Sequence, residues 1–200
     1  MEIRGGFVMG MYTGLRFKAI IKKEYREDID IMLESENSWE DCSHELFKDY
    51  SKVSRSDFIP FGSLAYMPDV WEGEPYDEEK PWNCRATNGF NRYFNKETGL
   101  LCFQCSLKNY DSTIELFLNK VAKVIIDKTI HIEVLYEEDE VSTLYNIENN
   151  NIKELDYGIR YSEYYNESHI WGYDDSELKE NNEVNVCYED YDFSKDEEYR

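Results

Sequence analysis

Apolar and polar positions alternate over Thr13–Lys22 (TGLRFKAIIK), with β-branched residues among them, which predicts a strand. The period then lengthens. Lys23–Glu34 places Tyr25, Ile29 and Leu33 at i, i+4 and i+8, one apolar stripe with charges opposite, and this predicts an amphipathic helix. Ser43–Val53 puts Leu46, Phe47, Tyr50 and Val53 on one face and predicts a short second helix. Phe58–Trp71 (FIPFGSLAYMPDVW) is the most apolar stretch, but Pro60, Gly62 and Pro68 interrupt any helix, so one or two short strands with tight turns are expected. After a polar loop at Glu72–Thr87, Phe90–Phe94 and Leu100–Leu107 read as a hairpin around Asn95–Gly99, with Gly99 suited to a bulged turn.

Ser112-Thr-Ile-Glu115 has the spacing of a capping box, and Ile114, Phe117, Leu118, Val121 and Ile125 continue it as a helix through Asp127. Thr129–Tyr136 (TIHIEVLY) alternates as a strand, and Val141–Ile147 can pair with it across Glu137–Glu140. The order strand, helix, helix, strands, helix, strands predicts an α+β fold. An antiparallel or mixed sheet would carry two or three helices on one face in a ferredoxin-like core, followed by an acidic C-terminal extension.

Charge divides the chain more sharply than periodicity does. Residues 137–200 hold 20 Asp and Glu against 5 Lys and Arg, whereas the preceding 136 residues hold 23 against 17. The last third also carries nine of the 17 tyrosines. We therefore divide the chain into a core domain over 11–148 and an acidic, Tyr-rich region over 149–200, with Asn149–Asn151 and Asn181–Asn182 as loop points. Residues 1–10 read as a mis-called leader. Arg4-Gly5-Gly6 is what a purine-rich ribosome-binding site would encode, so Met9 or Met11 is the expected natural start.

With 41% hydrophobic residues the chain has the apolar mass for a core. No apolar run approaches the ~18 residues of a membrane-spanning helix. A formal charge of −21 opposes direct contact with nucleic acid or an anionic membrane and favours a basic protein partner. Five cysteines without framework spacing, and no secretory signal, indicate reduced thiols and a cytoplasmic protein.

No GxSxG, HExxH, GxxxxGK[ST] or GxGxxG motif occurs, so no catalytic residue is assigned. Cys102-Phe-Gln-Cys105 is a CxxC, which suggests zinc or redox chemistry. On a strand, however, alternation sends its two thiols to opposite faces, and small buried residues fit better; no metal or cofactor is expected. His44, His131 and His169 stand in no metal or nucleophile pattern. Arg85, Arg92 and Lys96 beside Tyr93 and Phe94 are either a nucleotide-binding cluster or a solvated hairpin, and the hairpin is preferred. The Phe58–Trp71 run is either core or a docking surface, and core is preferred.

The acidic third is the feature that folding explains least. Tyrosines interleaved with carboxylates, as in NEVNVCYEDYDFSKDEEYR, suit a binding surface better than a purely solvating tail. The candidate partner-binding residues are Glu137, Glu138, Asp139, Glu140, Trp171, Asp174, Asp175, Tyr188, Glu189, Asp190, Tyr191 and Asp192.

The segments MYTGLRFKAIIK, FIPFGSLAYMP and TGLLCFQCSLKNYDSTIELFL resemble small uncharacterised accessory proteins of phages and mobile elements in low-GC bacteria. The resemblance implies a genomic context in which small acidic proteins inhibit host defence nucleases. The expected function is therefore a non-enzymatic inhibitor. It would present an acidic, DNA-mimicking surface to a basic nucleic-acid-binding effector, such as a CRISPR or other defence nuclease, in the host cytoplasm. The alternatives are an immunity protein against a basic toxin, and a small enzyme or nucleotide-binding protein.

Overall fold

A computed structural model describes residues 11–34, 38–68, 71 and 90–161, together with the backbone of 168–172. Strand β1 (Tyr12–Ile21) is the centre of a sheet ordered β2-β3-β1-β4-β5-β6. Its neighbours β3 (Leu100–Lys108) and β4 (Ile126–Tyr136) both run antiparallel to it. The two-residue β2 (Tyr93–Phe94) pairs with β3. On the far side, β5 (Thr143–Glu148) pairs with β4, and β6 (Asn151–Glu154) pairs with β5. Strands β7 (Tyr157–Tyr161) and β8 (Ser168–Gly172) form a separate antiparallel ribbon.

Helices α1 (Arg26–Leu33) and α2 (Glu45–Ser51) connect β1 to β2, with the helical turn α3 (Phe58–Phe61) after them. A second helical connection joins β3 to β4. It comprises α4 (Thr113–Leu116), a π-helical stretch Phe117–Ala122 and α5 (Lys123–Ile125). The order β2-β3-β1-β4 with helices in these two connections is the ferredoxin-like arrangement, widened by β5 and β6. The predicted α+β class is therefore observed, and the sheet is antiparallel throughout.

The helices cover one face. Leu15, Phe17, Ala19 and Ile21 of β1 and Leu101, Phe103, Cys105 and Leu107 of β3 pack against Ile29, Met32, Phe47, Tyr50, Ile114, Phe117 and Val121 in one buried cluster. Phe17 stacks on Phe103 at 5.0 Å, and Phe117 meets it edge-on at 5.6 Å. The hairpin turn follows the expected chemistry. The Asn95 Oδ1 accepts from the amides of Glu97 and Thr98, and Gly99 takes φ +83°, which a side chain would strain.

Three sequence expectations are corrected. Phe58–Trp71 contains no strand among its described residues. After the α3 turn it wraps around the edge of β3, where the Ser106 amide donates to the Ser63 carbonyl at 2.7 Å. Pro60 has no amide proton to give a ladder, and side-chain bonds from Ser106 and Gln104 to the Ser63, Ala65 and Trp71 carbonyls do the rest of the tying to β3.

Second, Ser112 does not cap the helix. It sits in the left-handed region at φ +54°, and its side chain makes no capping bond. Asn109 does the work instead. Its Oδ1 accepts from the Ile114 amide at 3.0 Å, while its Nδ2 donates to both Glu115 oxygens at 3.0 and 2.8 Å.

Third, the helix ends at Ile125, before Asp127. The Lys22 amide takes the Ile125 carbonyl at 2.8 Å, and Ile126 already pairs with Ile21. The end of β1 thus draws the chain into the sheet without a loop. Beyond residue 148 the chain continues to build the fold, for Ile159 and Tyr161 of β7 are buried core residues. Residues 1–10 lie outside the described residues.

Candidate functional site

The second face of β1 carries Gly14, Arg16 and Lys18, the alternate positions to its apolar ones. Register decides what Arg16 meets, since its cross-strand partners are Gln104 on β3 and Glu133 on β4. The Arg16 Nε donates to the Gln104 Oε1 at 3.2 Å, and its Nη1 lies 3.8 Å from the Glu133 Oε2. The guanidinium rests 4.3 Å from the Trp71 ring and 4.7 Å from the Phe90 ring. Tyr161 donates its phenolic proton to the Glu133 Oε1, and the His131 Nε2 sits 3.0 Å from the other oxygen.

Arg16 and Glu133 are 1% and 0% exposed, so the ion pair at the centre of the network is fully interior. Burial by itself raises the Glu133 carboxyl. The hydrogen bonds from His131 and Tyr161 and the charges of Arg16 and His131 outweigh it and hold the group below its ordinary value. The lid over the network depends on Gly14. A Cβ there would lie 2.6 Å from the Trp71 ring, so only glycine lets Trp71 and Met67 settle on this face.

The network anchors the acidic turn between β4 and β5. Tyr161 is fixed to Glu133 through its phenol, and its own amide donates to the Glu140 carbonyl at 3.0 Å. Val141 bridges Arg160, and the Ser142 amide donates to Ile159 at 2.8 Å. From the other side, the Glu137 amide donates to the Tyr12 carbonyl at 3.0 Å. The turn is thereby clamped between β1 and β7 while Glu138, Asp139 and Glu140 stay exposed and Glu137 is half-buried. Tyr136 registers their field. Desolvation, then the charges of Glu138, Glu137 and Asp139, push its phenol above the ordinary value. Among the described residues, Glu140 is partly neutralised by Arg160 at 2.8 Å.

Of the candidate partner-binding residues, the structure brings Glu137, Glu138, Asp139 and Glu140 together. Trp171 lies on β8, where its backbone pairs with Gly158. Asp174, Asp175, Tyr188, Glu189, Asp190, Tyr191 and Asp192 lie outside the described residues. Cys102 and Cys105 belong to the clusters on opposite faces of the sheet, as alternation requires, and burial pushes the Cys105 thiol up. Burial, then the charges of Asp28 and Asp41, push the Cys42 thiol up to about 12. Among the described residues no three His, Cys, Asp or Glu side chains converge as a metal site.

His44 pairs with Asp28, and His131 serves the network. The basic-aromatic cluster of the hairpin is split. Lys96 pairs with Glu27 and Asp30 at 2.7 and 2.8 Å, Arg92 lies over Phe61, and Arg85 is outside the described residues. Sequence reasoning did not single out Arg16, Gln104, Glu133 and Tyr161. The available signal was a pair of basic residues on one face of the first strand matched by His131 and Glu133 on one face of another.

No protein-family model, no curated protein and no solved structure matches the chain. No helix among the described residues is long and apolar enough to cross a membrane.

Proposed function

We propose that the protein is a non-enzymatic inhibitor encoded by a phage or mobile element. It binds a basic, nucleic-acid-binding host effector through carboxylates that occupy the effector's nucleic-acid path. The observation that carries this reading is the clamped turn Glu137–Glu140, which holds three exposed carboxylates on a fixed backbone in a chain of net charge −21. A rigid array of charge loses little entropy on binding and presents a field comparable to that of a nucleic-acid strand. Trp171, Asp174, Asp175, Tyr188, Glu189, Asp190, Tyr191 and Asp192 extend the same surface in this reading.

The test is a pull-down from a susceptible host, followed by binding kinetics on the captured partner at two salt concentrations. Glu138→Lys with Asp139→Lys slows association about tenfold and flattens its salt dependence. A partner whose association ignores both the reversal and the salt removes the acidic turn from the interface. Capture of a toxin in place of a defence effector makes the protein an immunity factor acting through the same carboxylates.

A further inference from the structure

Although the chain is strongly acidic, the outer edge of β3 is basic and aromatic. Six large hydrophobic residues are exposed among the described residues, and five of them, Phe58, Phe61, Tyr66, Tyr93 and Tyr110, gather along this edge. The contacts are continuous. Tyr93 pairs with Cys102 at one end of the strand. Arg92, next to it, lies over the Phe61 ring at 4.6 Å. Phe61 leads into Gly62, whose Cβ would fall 3.4 Å from the Cys105 Cβ.

The edge continues to Lys108. The Ser106 hydroxyl donates to the Ser63 and Ala65 carbonyls at 2.8 and 2.9 Å, which sets Tyr66 against Tyr12 with ring centroids 5.0 Å apart. The Lys108 ammonium stands 5.6 Å from the same Tyr12 ring. Arg55 donates to the Lys108 carbonyl and lies over Tyr110 at 4.7 Å. From Cys102 to Lys108 this stripe is about 20 Å long.

Three cations therefore sit on exposed or half-exposed rings. Among the described residues none of the three makes an ion pair, whereas Lys52, Lys96 and Arg160 do. Such a stripe fits an extended, anionic, aromatic-bearing polypeptide. Carboxylates would take the ammonium and guanidinium groups, and tyrosine rings would pack on the exposed rings.

We infer that its occupant is the chain's own segment 173–200. That segment holds eleven Asp and Glu against three Lys and Arg, with four tyrosines. Its 28 residues follow β8 directly, and a chain of that length spans up to ~90 Å, more than any path over a domain of this size. Tethering supplies an effective concentration on the order of mM, so weak contacts suffice. A single strand of nucleic acid offers the same two kinds of contact but is repelled by the net charge of −21. The inference is independent of the proposed function. If both hold, a basic effector must displace the segment from the stripe before it can engage those carboxylates.

The experiment uses the full-length protein. Zero-length carbodiimide coupling at low protein concentration joins Lys108 to carboxylates of 173–200 within one chain, read by mass spectrometry. Hydrogen exchange of 173–200 quickens several-fold in the Arg55→Glu, Arg92→Glu, Lys108→Glu triple variant and in high salt. Exchange of β1 and β4 stays slow, which shows that the variant is folded. Absence of the Lys108 coupling in the wild-type protein overturns the inference, and that arm needs no variant. So does exchange of 173–200 that is the same in both proteins. Coupling found only between differently labelled chains assigns the stripe to a second copy, and oligo(dT) binding that is lost in the triple variant without any change in 173–200 assigns it to nucleic acid. Either result overturns the contact within one chain.

Discussion

The two faces of β1 solve the same burial problem in opposite ways. Toward the helices, Leu15, Phe17, Ala19 and Ile21 are 0% exposed and meet only apolar or aromatic neighbours. Toward β7, Arg16 is 1% exposed and meets a carboxylate, an amide, a phenol and two ring faces. The apolar side is stabilised by area and close packing, which tolerate graded change. The ionic side depends on completeness, since a buried charge whose partner is removed costs several kcal/mol. The stronger constraint on sequence is thus expected on the face that looks more polar.

The sharpest way to break this contrast is to remove one charge. Glu133→Leu is expected to destabilise the fold by about 3–5 kcal/mol because Arg16 is left interior and unmatched. Arg16→Met with Glu133→Leu should recover most of that loss. Phe17→Ala on the other face costs a similar 3–5 kcal/mol as a cavity, and no single neighbouring change is expected to restore it. Urea unfolding of the four proteins gives the comparison. A double variant no more stable than Glu133→Leu would mean that Arg16 matters for its ring contacts and not for the ion pair.

A smaller effect separates charge from shape. Glu133→Gln keeps the volume and is expected to cost about 1–3 kcal/mol at neutral pH. Because the folded carboxyl lies below its ordinary value of 4.5, the stability it contributes is complete above that value. It is lost as pH falls through the folded value. The gap between wild type and Glu133→Gln should therefore close on acidification below pH 4.5. Asp28, also lowered against the opposing effect of burial by the Ser43 amide and by His44, titrates in both proteins and cancels. A gap that stays constant into strong acid would show that Glu133 is not ionised in the folded protein.

The smallest expected effect lies at the helix that roofs the apolar face. Asn109→Ala should cost about 0.5–2 kcal/mol, whereas Ser112→Ala should be close to neutral. Ser112→Gly should gain up to about 1 kcal/mol by relieving the left-handed backbone. Thermal melts rank the three, and a Ser112→Ala loss as large as that of Asn109→Ala would restore the serine as the cap.

The helix face was legible in the sequence because each of its elements declares itself locally, by period two in β1 and β4 and by stripes in α1, α2 and the Phe117 helix. The second face was not, because nothing near Arg16 in the chain reveals that it is buried. Arg16 and Lys18 look like the solvent side of an alternating strand until Trp71, Phe90 and Tyr161 arrive from distant positions to cover them. The cap was misread for a related reason. Ser112 and Glu115 have the right spacing, but the turn at Asn109 places an acceptor on the Ile114 amide and a donor on the Glu115 carboxylate. Of the candidate site, the four acidic residues of the β4–β5 turn could be read from composition, but their clamp could not, since it is built by residues 157–161, which look in sequence like the start of an acidic extension.

The position of β1 has a consequence for biogenesis. It leaves the ribosome before both of its partners, and Phe17 must wait about a hundred residues for Phe103 and Ile132 to emerge. Until then its apolar side chains have no sheet to join, and the nascent chain can only hold them in loose collapse or hand them to a chaperone. The central strand thus waits longer between its own synthesis and its pairing than the later hairpin strands do, and a synthesis stall before Leu100 leaves an aggregation-prone segment with no partner strand.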